Sequence, residues 1–161
     1  MTLPLVVILM GSISDKGHSQ KIADAVQQFD LEVEMRVGSA HKTASHVIQI
    51  LNAYESSLRK VVYITVAGRS NALSGFVDGY VDAPVIACPP SSNTFAGMDI
   101  FSSLRMPSGI APAVILEPEN AALLAAKIFA MFDENVAKKL ATYKTEHASK
   151  VIDGDHELKA A

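Results

Sequence analysis

Leu5, Val6, Val7, Ile8, Leu9 and Met10 follow one another without a polar interruption and stop at Gly11. A continuous apolar run rich in β-branched residues predicts a strand buried on both faces. The period then changes: Ile22, Ala25, Val26 and Phe29 recur at helical spacing and predict an amphipathic helix. Residues 31–37 alternate in part and read as a second strand, and Val47, Ile50, Leu51 and Tyr54 repeat the helical stripe. Residues 61–66 predict a third strand, 72–80 a short helix, 84–88 a fourth strand closed by Pro89 and Pro90, and 113–116 a fifth. Over 119–132, Ala121, Leu124, Ala125 and Ile128 share one helical face. Beyond Asp133 the composition turns polar, yet Val136, Leu140, Tyr143, His147 and Val151 keep a helical stripe. A last helix over about 133–155 is therefore expected to lie on a neighbouring surface, with the residues from Asp153 onward frayed.

Strands that alternate with helices require crossover connections, which place helices on both faces of a parallel sheet. The predicted class is α/β: a three-layer flavodoxin-like or Rossmann-like fold with a five-stranded parallel sheet and a C-terminal helix. Length supports a single domain over residues 1–161, with its core at about 5–132. No Pro/Ser-rich linker or solenoid-period repeat divides it.

Composition narrows the function classes. Seventeen acidic against fourteen basic residues give a net charge of −3, with no basic block, so a nucleic-acid surface is not expected. Hydrophobic residues make up 49% and charged residues 19%, which excludes disorder. The longest apolar candidate, residues 3–10, is far short of the roughly 20 residues a membrane span requires, and it lacks a basic leader. A single cysteine, Cys88, rules out an internal disulfide and fits a cytoplasmic setting.

Open parallel sheets bind ligands beyond the carboxyl ends of their strands. The loops expected there are Gly11-Ser12-Ile13-Ser14-Asp15, Gly38-Ser39-Ala40-His41-Lys42-Thr43 and Ala67-Gly68-Arg69-Ser70-Asn71. Ser12, Ser14, Ser39, Ser70, Lys42 and Arg69 suit a phosphate, and Asp15 can accept from sugar hydroxyls. For Ser14 or Asp15 alone, capping the first helix is an equally good reading. No phosphate-loop or dinucleotide glycine signature is present, and no Cys/His cluster supports a metal. Of five histidines, His147 and His156 fall in the tail, and His18 and His46 in first helical turns, where structural roles are the default. His41 lies in a small-residue loop beside Lys42, which suits a proton donor or acceptor near neutral pH. Cys88 ends a buried strand and reads as a packed thiol.

Gly-Ser-Ile-Ser-Asp at 11–15, Ser-Ala-His-Lys-Thr at 39–43 and Ser-Ser-Leu-Arg-Met-Pro-Ser-Gly at 102–109 closely resemble the aminoimidazole ribonucleotide carboxylases of purine biosynthesis, from about Leu5 to Phe132. The mutase class of that family typically has arginine and proline where this chain has Lys42 and Ala44, and a second histidine in the loop that here runs from Ala67 to Gly75. The departures resemble the second class, which uses carbon dioxide directly. The resemblance implies no cofactor, a homo-oligomer, octamer or tetramer, and active sites at subunit contacts. It implies His41 as the proton shuttle, Ser12 and Asp15 at ribose and phosphate, and Ser39 and Lys42 at phosphate. Gly68, Arg69 and Ser70 would line the base or carboxylate side. Gly11, Ser14, Ala40 and Asn71 complete the expected binding set, and Ala67, Ala72 and Leu73 are expected to wall a small carbon dioxide pocket. The carbamate mutase is the alternative within the family, and a non-enzymatic flavodoxin-like binding or signalling module the alternative outside it.

Overall fold

A computed structural model describes residues 3–160. Its strands are β1 (Leu5–Met10), β2 (Glu32–Val37), β3 (Val61–Val66), β4 (Val85–Ala87) and β5 (Ala113–Val114), all parallel, in the order β2-β1-β3-β4-β5. That is the flavodoxin-like order, which changes direction between β1 and β3. Leu5 pairs with both Glu32 and Val61, and Met10 with both Val37 and Val66, so three strands end level.

Every residue of β1 and β3 is buried, as their unbroken apolar runs require. Alternation along each strand divides the core in two. Val6, Ile8 and Met10 face α1 (Lys16–Gln27) and α5 (Pro118–Phe129), while Leu5, Val7 and Leu9 face α2 (Ala44–Glu55) and α3 (Ala72–Asp78). A short helix, α4 (Phe101–Leu104), follows a kinked 3-10 stretch, Thr94–Ile100, in the connection from β4 to β5.

The tail forms α6 (Glu134–Ala160), continuous past Asp153 where fraying was expected. Its start packs as predicted: Val136 is buried, Leu140 and Tyr143 touch the core, and Tyr143 stands 5.2 Å from Phe29, ring centre to ring centre. Further along, Val151 is exposed, so the stripe outlasts the surface available to cover it. Favourable local bonding continues the helix there, as in the Lys159–Asp155 ion pair one turn apart. No helix among the described residues is long and apolar enough to cross a membrane.

Beneath the carboxyl end of β3 lies a buried polar chain. The Thr65 and Ser74 hydroxyls are 2.8 Å apart, and the Asn71 amide donates to Ser74 Oγ at 2.7 Å and to Ser103 Oγ at 2.8 Å. Asn71 Oδ1 accepts from the Ser74 backbone amide at 3.2 Å, capping α3. Cys88 is fully buried just past β4, and burial pushes its thiol up to about 12, reinforced by Glu117 and Glu119.

Two outcomes follow for stability. Asn71→Ala orphans the Ser103 hydroxyl, leaves Ser74 with Thr65 alone and removes a helix cap, so urea denaturation should show a loss of about 2–3 kcal/mol. Because the fold holds the Cys88 proton more tightly than the unfolded chain does, this group's stabilisation is complete below about pH 9 and is lost as pH rises through about 12. Thermal melts between pH 8 and 11 should therefore decline, and decline less steeply in Cys88→Ala.

Candidate active site

Level strand ends place three loops side by side, and backbone bonds fasten them: the Gly11 amide donates to the Val66 carbonyl at 2.8 Å and the Gly38 amide to the Met10 carbonyl at 2.9 Å. A side chain at Gly38 would put its Cβ 2.8 Å from Val47 Cγ2, so glycine lets the second loop leave the sheet over α2. Between the loops opens a cleft of about 580 Å³, within the range of small-molecule sites. Gly11, Ser12, Ser14, Asp15, Ser39, Ala40, His41, Lys42, Gly68, Arg69 and Ser70 all line it.

The first loop turns through a 3-10 segment, Ile13–Asp15, which Ser12 caps by accepting from the Ser14 amide at 3.3 Å and the Ser14 hydroxyl at 2.8 Å. Asp15 precedes α1 yet makes no capping bond, leaving its carboxylate to the cleft. Capping therefore falls to Ser12, not to Ser14 or Asp15. Partial burial raises the Asp15 pKa, while the nearby His18, a bond to the Ser12 backbone and Arg69 pull it down. His18 sits behind that loop, half buried, with Nε2 3.4 Å from Cys88 Sγ; burial lowers its pKa, opposed by a bond to the Cys88 backbone. A neutral imidazole there is a packing group, as the first-turn position suggested.

The second loop braces itself. Ser39 donates its amide to Thr43 Oγ1 at 2.9 Å, and Ser39 Oγ accepts from the Lys42 amide at 3.2 Å. His41 and Lys42 project from it, both exposed. In the third loop Arg69 adopts φ 59°, a left-handed conformation that costs a non-glycine residue energy.

Two expectations need correction. Asn71 does not line the cleft: its side chain turns inward to Ser74 and Ser103, because the start of α3 needs a cap. Ala72 is exposed on α3 away from the cleft, whereas Ala67 and Leu73 do line it. Sequence reasoning passed over Pro90, Ser91, Ser92, Thr94 and Asp99, which form a fourth wall beyond β4. The signal was present, since the rule applied to strands one to three applies equally to the Pro-Pro-Ser-Ser run after the fourth. The assembled cleft offers seven serine or threonine hydroxyls, two cations and two carboxylates in close range. That mixture suits a phosphorylated sugar carrying a polar ring.

The family model described as AIR carboxylase matches residues 5–150. Phosphoribosylaminoimidazole carboxylase of Treponema denticola is 58% identical over 156 residues, spanning 97% of this chain and 98% of that protein. Its counterpart in Archaeoglobus fulgidus is 52% identical over 153 residues, 95% of this chain and 84% of that one. A bifunctional phosphoribosylaminoimidazole carboxylase/phosphoribosylaminoimidazole succinocarboxamide synthetase of Drosophila melanogaster matches at 43% over 96% of this chain and 36% of its own length. The crystal structure of Treponema denticola PurE superposes with a TM-score of 0.95 at 58% identity, covering 97% of this chain and 99% of that one. The five-stranded parallel sheet, the order of the loops and a match across nearly the whole domain place this chain in the AIR carboxylase family.

Proposed function

We propose that this enzyme carboxylates 5-aminoimidazole ribonucleotide with carbon dioxide to give 4-carboxy-5-aminoimidazole ribonucleotide, without ATP or biotin. The observation that carries the reading is the gathering of His41, two cations and seven hydroxyls around one nucleotide-sized cleft, in a chain whose full-length relatives are named for this activity.

The substrate is an enamine-like nucleophile. Its ring C4 attacks the carbon of carbon dioxide, forming the new C–C bond and leaving C4 tetrahedral and still bearing its proton. A neutral His41 removes that proton, the electron pair returns to the ring, and aromaticity is restored. In reverse, His41 in its protonated form delivers the proton to C4. Carbon dioxide binds weakly, so holding it beside C4 is a matter of effective concentration, and the apolar wall of Ala67 and Leu73 suits that task. Lys42 and Arg69 supply charge-assisted bonds to the phosphate or the nascent carboxylate, with Ser12, Ser39 and Ser70 adding hydroxyls and Asp15 accepting from ribose. Lys42, Ala44 and a 67–75 loop without histidine favour carbon dioxide over the carbamate as carboxyl donor. A phosphorylated substrate does not cross membranes unaided, which assigns the enzyme to the cytoplasm where the nucleotide is made.

A homo-oligomer, an octamer or tetramer, belongs to the same proposal. Phe95, Met98, Phe101 and Leu104 are each more than half exposed and form an apolar ridge beside the cleft, the kind of surface that subunit contacts cover.

Purified protein should consume aminoimidazole ribonucleotide in bicarbonate-derived carbon dioxide and leave the carbamate unused; the opposite preference would establish a mutase. His41→Asn should still bind the nucleotide but lose about 10²–10⁴-fold in kcat. Lys42→Ala should instead raise KM about tenfold, the loss of one charge-assisted bond. Light scattering should give a mass of four or eight 17.2 kDa subunits, and a monomer would refute the assembly.

A further inference from the structure

The left-handed Arg69 is held by a residue outside its own loop. Ser102, on α4, accepts the Asn71 amide on its hydroxyl oxygen at 2.9 Å, and that oxygen stands 2.7 Å from the Asp99 carbonyl oxygen and 3.1 Å from the Arg69 carbonyl oxygen, which share its one proton. The hydroxyl thus accepts at one end of the Arg69–Asn71 turn, shares its proton with the carbonyl at the other, and joins both to the segment that supplies Thr94 and Asp99 to the cleft. Its neighbour Ser103 is fastened to the same turn from below by the Asn71 side chain. A non-glycine residue at φ 59° relaxes to another backbone region unless its surroundings oppose it. The relaxation has somewhere to go: Arg69 stands between the cleft and an adjoining hollow of about 660 Å³ lined by Phe95, Met98 and Ser102.

We propose that Ser102 is a positioning residue, whose hydroxyl clamps the Arg69–Asn71 turn so that the Arg69 guanidinium stays over the substrate cleft and out of the adjoining hollow. Ser102 itself lines the adjoining hollow and not the cleft, so the clamp is felt there through the turn it holds. It rests on the carboxylase reading only for the assay in which it is felt.

Ser102→Ala tests it, with Ser102→Thr as the variant that keeps the hydroxyl. In Ser102→Ala the Asn71 amide should lose its protection from hydrogen exchange, at an unchanged far-UV spectrum. KM for aminoimidazole ribonucleotide should rise about fivefold with kcat within about twofold, the scale of one lost hydrogen bond. Ser102→Thr should restore both. In an Arg69→Ala background, Ser102→Ala should leave KM where Arg69→Ala alone put it, because the clamp then has nothing to position. A full fivefold effect in that background, or an unchanged KM together with an Asn71 amide still protected, would overturn the proposal. If the wild-type protein proved inactive on this substrate, the carboxylase reading would fall. The clamp would then be decided by exchange at Asn71 together with the affinity of wild type and both single variants for ribose 5-phosphate, which should weaken in Ser102→Ala and not in Ser102→Thr.

Discussion

Parallel pairing of β1 with β2 on one side and β3 on the other, in a register that ends all three strands at the same height, is the constraint on which the rest depends. Each strand must hand its chain to a helix on one face or the other, and it does so at a common level. Three short loops therefore meet across the direction change of the sheet. A slip by one residue would turn Val6, Ile8 and Met10 toward the helices that now cover Leu5, Val7 and Leu9, and would carry the loops out of line. Burial on both faces of β1 makes that slip costly, so the hydrophobic core also guards the geometry of the cleft.

The strongest sequence signals came from segments with a single environment. β1 and β3 are uninterrupted apolar runs because both of their faces are covered, and α1, α2 and α5 carry clear stripes because only one of theirs is. What escaped was decided by contacts distant in sequence. Asn71 stands in a loop of binding residues and has their chemistry, but Ser103, thirty-two positions later, draws its side chain inward. The stretch from Thr94 to Leu104 has no clean period, because left-handed backbone at Phe95, Ala96 and Gly97 breaks it into short pieces. The extent of α6 was missed for a different reason. It continues through residues that bury little, so its burial pattern fades before the helix does.

Charge is distributed sparingly around the cleft. Lys42, Arg69, Asp15 and Asp99 all line it, so their formal charges cancel and the cleft carries no broad positive field. On the proposed placement of the phosphate, attraction comes at short range, from hydroxyls and amides as much as from the two cations. That agrees with a chain whose overall charge is slightly negative and whose proposed substrate is nevertheless an anion.

The loop from Ser39 to Thr43 is tied to itself by bonds from the Ser39 and Lys42 amides, and the turn at Ser12 is closed by Ser14. Much of the cup is therefore ordered in the free protein. Torsional freedom that a floppy loop would surrender on meeting its ligand has already been surrendered during folding. The conformational entropy of forming this part of the site is thus charged to the folding of the domain, and a greater share of each contact with the nucleotide remains to appear as affinity.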